Sequence, residues 1–315
     1  MAHEVHEAFL PLICGDPRRR QRLENRLLYG SFACLDRGYL FLETPKAACT
    51  TMKWVLASLT GAEVPRKQVG KETSVDMSVH KRRLHPVKSL LHFSRSEQDY
   101  LLTHPEVFRF TVVRNPYSRL VSAFNDKIRN FEPSYQAFWK RIATEGSLDI
   151  GSDGPTFPQF VSWLTRTQNP NHTNLHWQSM TSLNFHRCIE YSSILKVETL
   201  LDDVRMALKL IAPEVEATQI MRASRVNEGL PCVWSQYYDN CTAGSVREFY
   251  HDDFERFGYE TDSWRRTAGQ NSIPSWDIER SAIQAIRARN IVISELLVRI
   301  ANLQERARKN PPEAR

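Results

Sequence analysis

One stretch constrains the rest of the chain: Tyr39-Leu40-Phe41-Leu42-Glu43-Thr44-Pro45-Lys46-Ala47-Ala48-Cys49-Thr50-Thr51-Met52-Lys53-Trp54-Val55-Leu56. An apolar run of strand length breaks at Pro45 and resumes as an apolar-periodic helix through Trp54, Leu56 and Leu59. A strand turning sharply into a helix presents the N–H groups of the first turn and the positive end of the helix dipole, which together bind an anion. Lys46 adds a full positive charge at that turn, and Thr50 and Thr51 add hydroxyl donors. The pattern suits a phosphate or sulfate ester; the plainer alternative is a common strand–turn–helix with a solvated lysine. A nucleoside-triphosphate loop of the G-x-x-x-x-G-K-[ST] type is not present, because the lysine precedes the turn and no glycine lies between Lys46 and Thr51.

The pattern recurs in Phe108-Arg109-Phe110-Thr111-Val112-Val113-Arg114-Asn115-Pro116-Tyr117-Ser118-Arg119-Leu120-Val121-Ser122-Ala123-Phe124. A β-rich run ends at Arg114, Asn115-Pro116 breaks it, and a helix follows with Leu120, Val121 and Phe124 on its apolar face. An arginine at the strand end and a serine two turns along the helix can hold a phosphate monoester from two sides. Between the two stretches lies Val79-His80-Lys81-Arg82-Arg83-Leu84-His85, which reads either as a surface loop or as the carrier of a general base. Neighbouring cations would keep such an imidazole neutral, as a base requires.

The charge balance of +6 invites a nucleic-acid reading, but its distribution excludes a duplex-binding domain. From Arg265 onward ten Arg/Lys face five Asp/Glu, a surplus of five, which leaves one net positive charge for residues 1–264. No run approaches the ~18 apolar residues that a transmembrane helix needs. At the N-terminus the basic residues follow the apolar patch, the reverse of a secretory signal. The six cysteines are scattered without a C-x-x-C pair, as expected for reduced thiols of a cytoplasmic protein with no zinc site. The basic segment 14–30 is expected to present a solvated helix face.

The two strand–turn–helix stretches together resemble the cofactor motifs of the sulfotransferases, and most closely those of the carbohydrate branch that includes the chondroitin enzymes. Three later segments fit the same branch in order. Asn174-Leu175-His176-Trp177-Gln178-Ser179 is similar to its H-W-x-x-Q segment, and Ile189-Glu190-Tyr191 with Leu195-Lys196-Val197-Glu198-Thr199-Leu200 to its K-x-E-T-L segment. Phe249-Tyr250-His251-Asp252-Asp253-Phe254-Glu255-Arg256-Phe257-Gly258-Tyr259 is similar to its closing D-F-x-x-F-G-Y. The resemblance implies an α/β, P-loop-like three-layer sandwich with a central mostly parallel sheet. It also implies 3′-phosphoadenosine 5′-phosphosulfate as donor, a hydroxyl acceptor, foremost a saccharide, and no metal. On this resemblance Lys46, Ala47, Ala48, Cys49, Thr50, Thr51 and Lys53 hold the 5′-phosphosulfate, Arg114 and Ser122 grip the 3′-phosphate, and Arg225 reaches the nucleotide. Lys46 and His80 are the expected catalytic pair, with His85 as the alternative base.

Three departures from the family pattern stand out. Ala48 replaces a frequent glycine, so the backbone is expected to avoid positive φ there. Ser192 stands for an expected Asp and Asn184 for an expected Cys, which puts a relative's disulfide or acceptor contact in question. Trp177 and His176 read either as a sugar-contacting pair or as a buried indole with a capping histidine. The Gly/Pro-rich loop 150–158, between helices expected at Tyr135–Ile142 and Phe160–Leu164, frames an acceptor cleft or serves as a connector.

Residues 1–264 form the expected transferase domain, and 265–315 a linker with a basic amphipathic helix. That helix is expected over Asp277–Lys309, with Ile286, Ile293, Ile300 and Ala307 seven apart and Leu296 and Leu303 at the complementary positions. It either docks on the body, pairs with a second copy or meets an acidic or lipid surface. Two rival functions remain at this stage: a nucleotide kinase with a degenerate phosphate loop, and a non-catalytic module with a coiled-coil tail.

Overall fold

The apolar runs around the two turns pair into one sheet in the computed structural model, which describes residues 17–61, 85–218, 220, 233–265 and 276–309. Its strands β1 (Ser31–Cys34), β2 (Tyr39–Leu42), β3 (Phe108–Val113) and β4 (Ser193–Lys196) lie in the order β1-β2-β3-β4. β1 is antiparallel to β2, while β2, β3 and β4 run parallel, with Leu42 opposite Thr111 and Val113 opposite Lys196. The sequence is α/β with a central, mostly parallel sheet, as expected.

Every residue of β2 is buried, which is why it reads as an unbroken apolar run rather than an alternating one. Successive side chains serve opposite faces. Phe41, Phe110, Val112 and Leu195 pack with Met52, Val55 and Leu56 and with Val204, Leu208 and Ile211. Leu40 and Leu42 pack with Leu27, Leu90, Leu101 and Phe185. The helices concerned are α1 (Pro17–Tyr29), α2 (Cys49–Ser58), α3 (Arg95–Thr103), α4 (Pro116–Ala123), which follows β3, and α7 (Leu200–Ile211).

Contacts divide the chain into two compact units, one of Met1–Arg119, Pro170–Glu228 and Tyr250–Tyr259, the other of Leu120–Asn169, Gly229–Phe249 and Glu260–Arg315. The sheet belongs to the first. The second is helical and includes α5 (Gln136–Gly146), α6 (Phe157–Thr167), α8 (Asn240–Phe249) and the long α10 (Trp276–Lys309), while α9 (His251–Phe257) belongs to the first. α6 starts with a reciprocal Thr156–Gln159 capping box, which stops the chain from fraying where loop 150–158 ends. Phe124, Phe157, Phe160 and Trp163 form the aromatic centre of this unit. Gly154 sits at φ +78°, and a Cβ there would come within 2.3 Å of the Trp139 ring, so only glycine fits that turn.

The long C-terminal helix docks over its first half. Ile283 is buried, Arg287 Nε donates to the Arg129 carbonyl at 2.7 Å, and Asn290 Nδ2 donates to the Asn130 carbonyl at 2.9 Å. Beyond Asn290 the apolar side chains emerge, with Ile293 37% and Leu303 63% exposed. No described helix is long and apolar enough to cross a membrane.

Candidate functional site

The chain leaves β2 through a turn in which the Ala47 N–H donates to the Thr44 carbonyl at 3.1 Å. Pro45 takes the second position, which its ring prefers, and Lys46 the third at φ 68°. A type II turn requires positive φ at that third position and normally fills it with glycine. Ala48 follows at φ 53°, ψ 25°, also left-handed, and α2 then starts with no side-chain cap. The expectation that Ala48 would keep a negative φ is thus corrected, and the strain is accepted rather than avoided. Each non-glycine residue held there costs roughly 1–2 kcal/mol. Met52 N–H, bonded to the Ala48 carbonyl at 3.0 Å, is where the intrahelical ladder of α2 begins. Cys49, Thr50 and Thr51, all half-buried, form the uncapped first turn ahead of it. Ala47 is fully buried beneath the turn.

Three arginines hold this strained turn. Arg119 is 2% exposed, and its Nε donates to the Pro45 carbonyl at 3.0 Å, its Nη1 to Gln178 O at 2.8 Å and its Nη2 to Leu175 O at 3.2 Å. Burial presses its pKa down, opposed by Tyr250 and Asp253 nearby. Arg114 donates through Nη1 to the Lys46 carbonyl at 3.2 Å and through Nε to Ser118 Oγ at 2.9 Å. Arg26 of α1 donates to the Glu43 carbonyl, and desolvation lowers its pKa with Glu43 opposing. Its side chain is 8% exposed, so the basic segment does not present a uniformly solvated face. Thr44 adds a fourth anchor, since its hydroxyl donates to Asn184 Oδ1 at 3.0 Å. The residue that replaces an expected cysteine therefore pins the turn instead.

The turn after β3 is built differently. Asn115 Oδ1 accepts the Tyr117 N–H at 3.0 Å, an Asx cap that starts α4. Its own N–H donates to Glu198 Oε1 at 2.9 Å, and the Tyr259 hydroxyl donates to Glu198 Oε2 at 3.0 Å. Burial and then the Glu198 charge push the Tyr259 phenol far up, so it stays protonated and keeps donating. The K-x-E-T-L and F-G-Y segments thus converge on the second turn.

Several expected site residues have other tasks. Lys53 is buried and its ammonium pairs with Glu43 Oε2 at 2.5 Å, 5.5 Å above the Phe32 ring, which corrects its assignment to the cofactor. His85 accepts the Val87 N–H at Nδ1 (3.1 Å) and donates from Nε2 to the Lys53 carbonyl (3.0 Å). It packs edge-on against Phe32 as a buried peg, with both ring nitrogens engaged, so it is not placed to act as a base. Trp177 is fully buried, with Nε1 on Thr173 Oγ1 at 3.0 Å, and offers no face to a sugar. Ser122 is half-buried on α4, one turn beyond Ser118, which is the hydroxyl that Arg114 meets. His80 and Arg225 lie outside the described residues.

Sequence reasoning missed Arg119, Ser118 and Glu198 as parts of this site. A signal for Arg119 was present: it stands within a short helix whose residues from Pro116 to Val121 are all buried, and a buried guanidinium must find carbonyls or carboxylates.

A family model described as the sulfotransferase family matches residues 32–260, a span holding both turns and the K-x-E-T-L and F-G-Y segments that converge on the second. Human carbohydrate sulfotransferase 8 is 26% identical over 235 residues, covering 70% of this chain and 53% of that protein. Human carbohydrate sulfotransferase 9 is 28% identical over 237 residues, covering 70% and 51%. Carbohydrate sulfotransferase 10 of Pongo abelii is 30% identical over 258 residues, covering 73% and 66%. The chain thus spans about half to two thirds of these curated relatives. No solved structure matches it. With nearly three quarters of its length matched by the model and both anion-type turns inside the match, the chain belongs to the sulfotransferase family.

Proposed function

We propose that this protein transfers a sulfuryl group from 3′-phosphoadenosine 5′-phosphosulfate to a hydroxyl acceptor, foremost on a saccharide. The observation that carries the reading is the Arg114 Nη1 bond to the Lys46 carbonyl, which ties the two anion-type turns together at the C-terminal ends of adjacent parallel strands. In open α/β sheets ligands bind outside those ends. The finer architecture belongs to the same proposal: a P-loop-like three-layer sandwich formed by the sheet and its covering helices. So does the division into a transferase part, 1–264, and a tail, 265–315.

The residues present fit such a donor. A helix start without a side-chain cap, a positively charged turn and the Arg114 guanidinium all favour anionic oxygens. Lys46 and the first turn of α2, from Ala47 to Thr51, would hold the 5′ end, and Arg114 with Ser122 the 3′-phosphate. Arg225 is the sequence-based partner for the nucleotide. When bound, the donor supplies the sulfuryl group; the chain's part is to position it and to stabilise charge on the leaving oxygen, as in phosphoryl transfer. Lys46 is the residue for that second task. The acceptor's proton needs a base, for which His80 is the sequence-based candidate.

Self-association through 277–309 is proposed as well, supported by the exposed Ile293, Leu296, Ile300 and Leu303 at heptad spacing. Light scattering at two concentrations tests it. A cytoplasmic location is part of the proposal, and cell fractionation tests that.

The test of function is a melting-temperature screen followed by labelled-sulfate transfer to the oligosaccharide fraction of a cell extract. Adenosine 3′,5′-bisphosphate should raise the melting temperature, since a ligand bound only by the native state stabilises it. A rise with ATP and Mg²⁺ alone would favour a kinase, and no rise with either a non-catalytic module.

A further inference from the structure

The helical unit carries a hollow of about 460 Å³ lined by Ser235, Gln236, Asn240, Trp264 and Arg265, a size that suits a small ligand. Ser235 and Gln236 lie on the short helix Trp234–Tyr237, Asn240 opens α8, and Trp264 and Arg265 end the short helix Ser263–Arg265. These segments are held in place. The Tyr237 and Tyr238 rings pack edge-on against Phe157 at 5.3 and 5.1 Å, and Asp239 Oδ1 accepts the Thr242 N–H at 2.7 Å. The Arg265 N–H donates to Asp262 O at 2.9 Å. Trp264 and Arg265 follow the span 32–260 that the family model matches, so family membership does not account for the hollow.

The guanidinium of Arg265 is held by two of its neighbours. Its Nη2 donates to Asn240 Oδ1 at 2.9 Å, and its central carbon lies 5.0 Å from the middle of the Trp264 ring. A guanidinium only donates, so the Asn240 atom it meets is the oxygen, which leaves the amide nitrogen to donate elsewhere. Among the described residues no carboxylate pairs with Arg265. Nor does any hydrogen bond engage the Ser235 hydroxyl, the Gln236 carboxamide or the Trp264 indole N–H. The lining thus offers one cation, three side chains that donate and accept, and a half-buried aromatic plane. Sugar hydroxyls also donate and accept, so they match hydroxyl and carboxamide groups better than a phosphate, which only accepts. A sugar's apolar ring face suits the indole, and the remaining N–H groups of Arg265 suit a carboxylate or sulfate.

We infer that this hollow binds an acidic saccharide, with a carboxylate or sulfate on Arg265, sugar hydroxyls on Ser235, Gln236 and Asn240, and a ring face on Trp264. Its use in holding the acceptor chain rests on the transfer reading above; the binding itself does not. None of the five residues belongs to either anion-type turn, so the hollow recognises the acceptor with residues separate from those that face the donor.

The experiment is ¹⁵N–¹H spectroscopy of the full chain, with the Trp264 indole resonance assigned from a Trp264→Phe variant. The probe is an unsulfated hexasaccharide of alternating glucuronate and N-acetylglucosamine. It should shift that resonance, while uncharged maltohexaose should bind at least ~10-fold more weakly for want of a charge-assisted hydrogen bond. Inorganic sulfate at the same concentration should not reproduce the shift. Arg265→Gln should weaken the acidic probe by at least ~10-fold, and should keep the melting-temperature rise with adenosine 3′,5′-bisphosphate. Arg187→Gln, at an exposed arginine outside the hollow, should bind the probe as wild type does. In transfer assays Arg265→Gln should raise KM for the oligosaccharide fraction more than it lowers kcat, as loss of uniform binding does. No shift with the acidic probe, equal binding of maltohexaose, or an equal shift with sulfate alone would overturn the inference. So would equal weakening by Arg187→Gln, or a KM that Arg265→Gln leaves unmoved. A wild-type chain that binds the probe yet transfers no sulfate would instead overturn the transfer reading alone.

Discussion

The turn after β2 holds Lys46 and Ala48 at positive φ and starts its helix with no side-chain cap, whereas the turn after β3 has no such residue and starts its helix on the Asn115 carboxamide. In sequence the two are alike: an apolar strand, a proline break and a helix. In the structure one spends conformational energy to hold Lys46 beside a helix start that has no side-chain cap, and the other satisfies its own donors through Asn115 and Glu198. Strain that survives in a native protein must be over-determined by its surroundings, and it gathers at ligand sites. Arg119, Arg114 and Arg26 provide that over-determination at the first turn. The difference leaves the first turn strained and the second self-satisfied, with Arg114 reaching from the second to the first.

The sharpest way to break this contrast is to remove the brace. Arg119→Ala removes the donor from one buried carbonyl, Gln178 O, and from two part-buried ones, Pro45 O and Leu175 O. At ~1–3 kcal/mol for a buried unsatisfied group the loss should be at least ~1 kcal/mol. Urea unfolding measures it, and a loss under ~1 kcal/mol would mean that the first turn holds itself.

Lys46→Gly separates strain from function. Glycine adopts positive φ freely, so stability should rise by up to ~1 kcal/mol. Sulfate transfer should fall by ~10²-fold or more with the loss of the charge. A variant that is both less stable and fully active would show the contrast to be misread.

At the second turn, Asn115→Ala should cost ~1 kcal/mol through the lost cap, within the usual ~0.5–2 kcal/mol range. The same denaturation experiment reads it, and no change would mean that Glu198 alone sets that turn. The smallest effect is expected for Ala48→Gly. Relief of the left-handed strain should outweigh the added freedom of the unfolded chain by ~0.5 kcal/mol, since the two effects oppose each other. Destabilisation by that change would argue that Ala48 is not strained.

How much of this was legible beforehand follows from which forces are local. β2 and β3, the turn after each and the helix that follows could be read because apolar periodicity and proline breaks act within a few residues. The helices at Gln136–Gly146, Phe157–Thr167 and Trp276–Lys309 fall where the periodicity placed them, to within a few residues. The left-handed turn was not legible, because alanine carries no signal for positive φ. It takes that conformation only since Arg119 and Arg114, more than sixty residues on, hold the carbonyls beside it. Lys53 was misassigned for a related reason. Type and position suited an anion site, but Glu43, ten residues earlier in the chain, claims its charge. Trp177 and His176 stood as a pair in sequence, and burial separates them: the indole is fully buried and anchors the loop, while the half-buried imidazole meets Asn174 Oδ1.

The most direct test of the central claim, that the two turns act together on one doubly phosphorylated nucleotide, is calorimetric titration of adenosine 3′,5′-bisphosphate into the wild type, Lys46→Ala and Arg114→Ala. Each variant loses a charged donor worth ~1.5–3 kcal/mol, so each should bind ~10–200-fold more weakly than wild type. Undiminished affinity in both variants, with the fold intact, would contradict the claim.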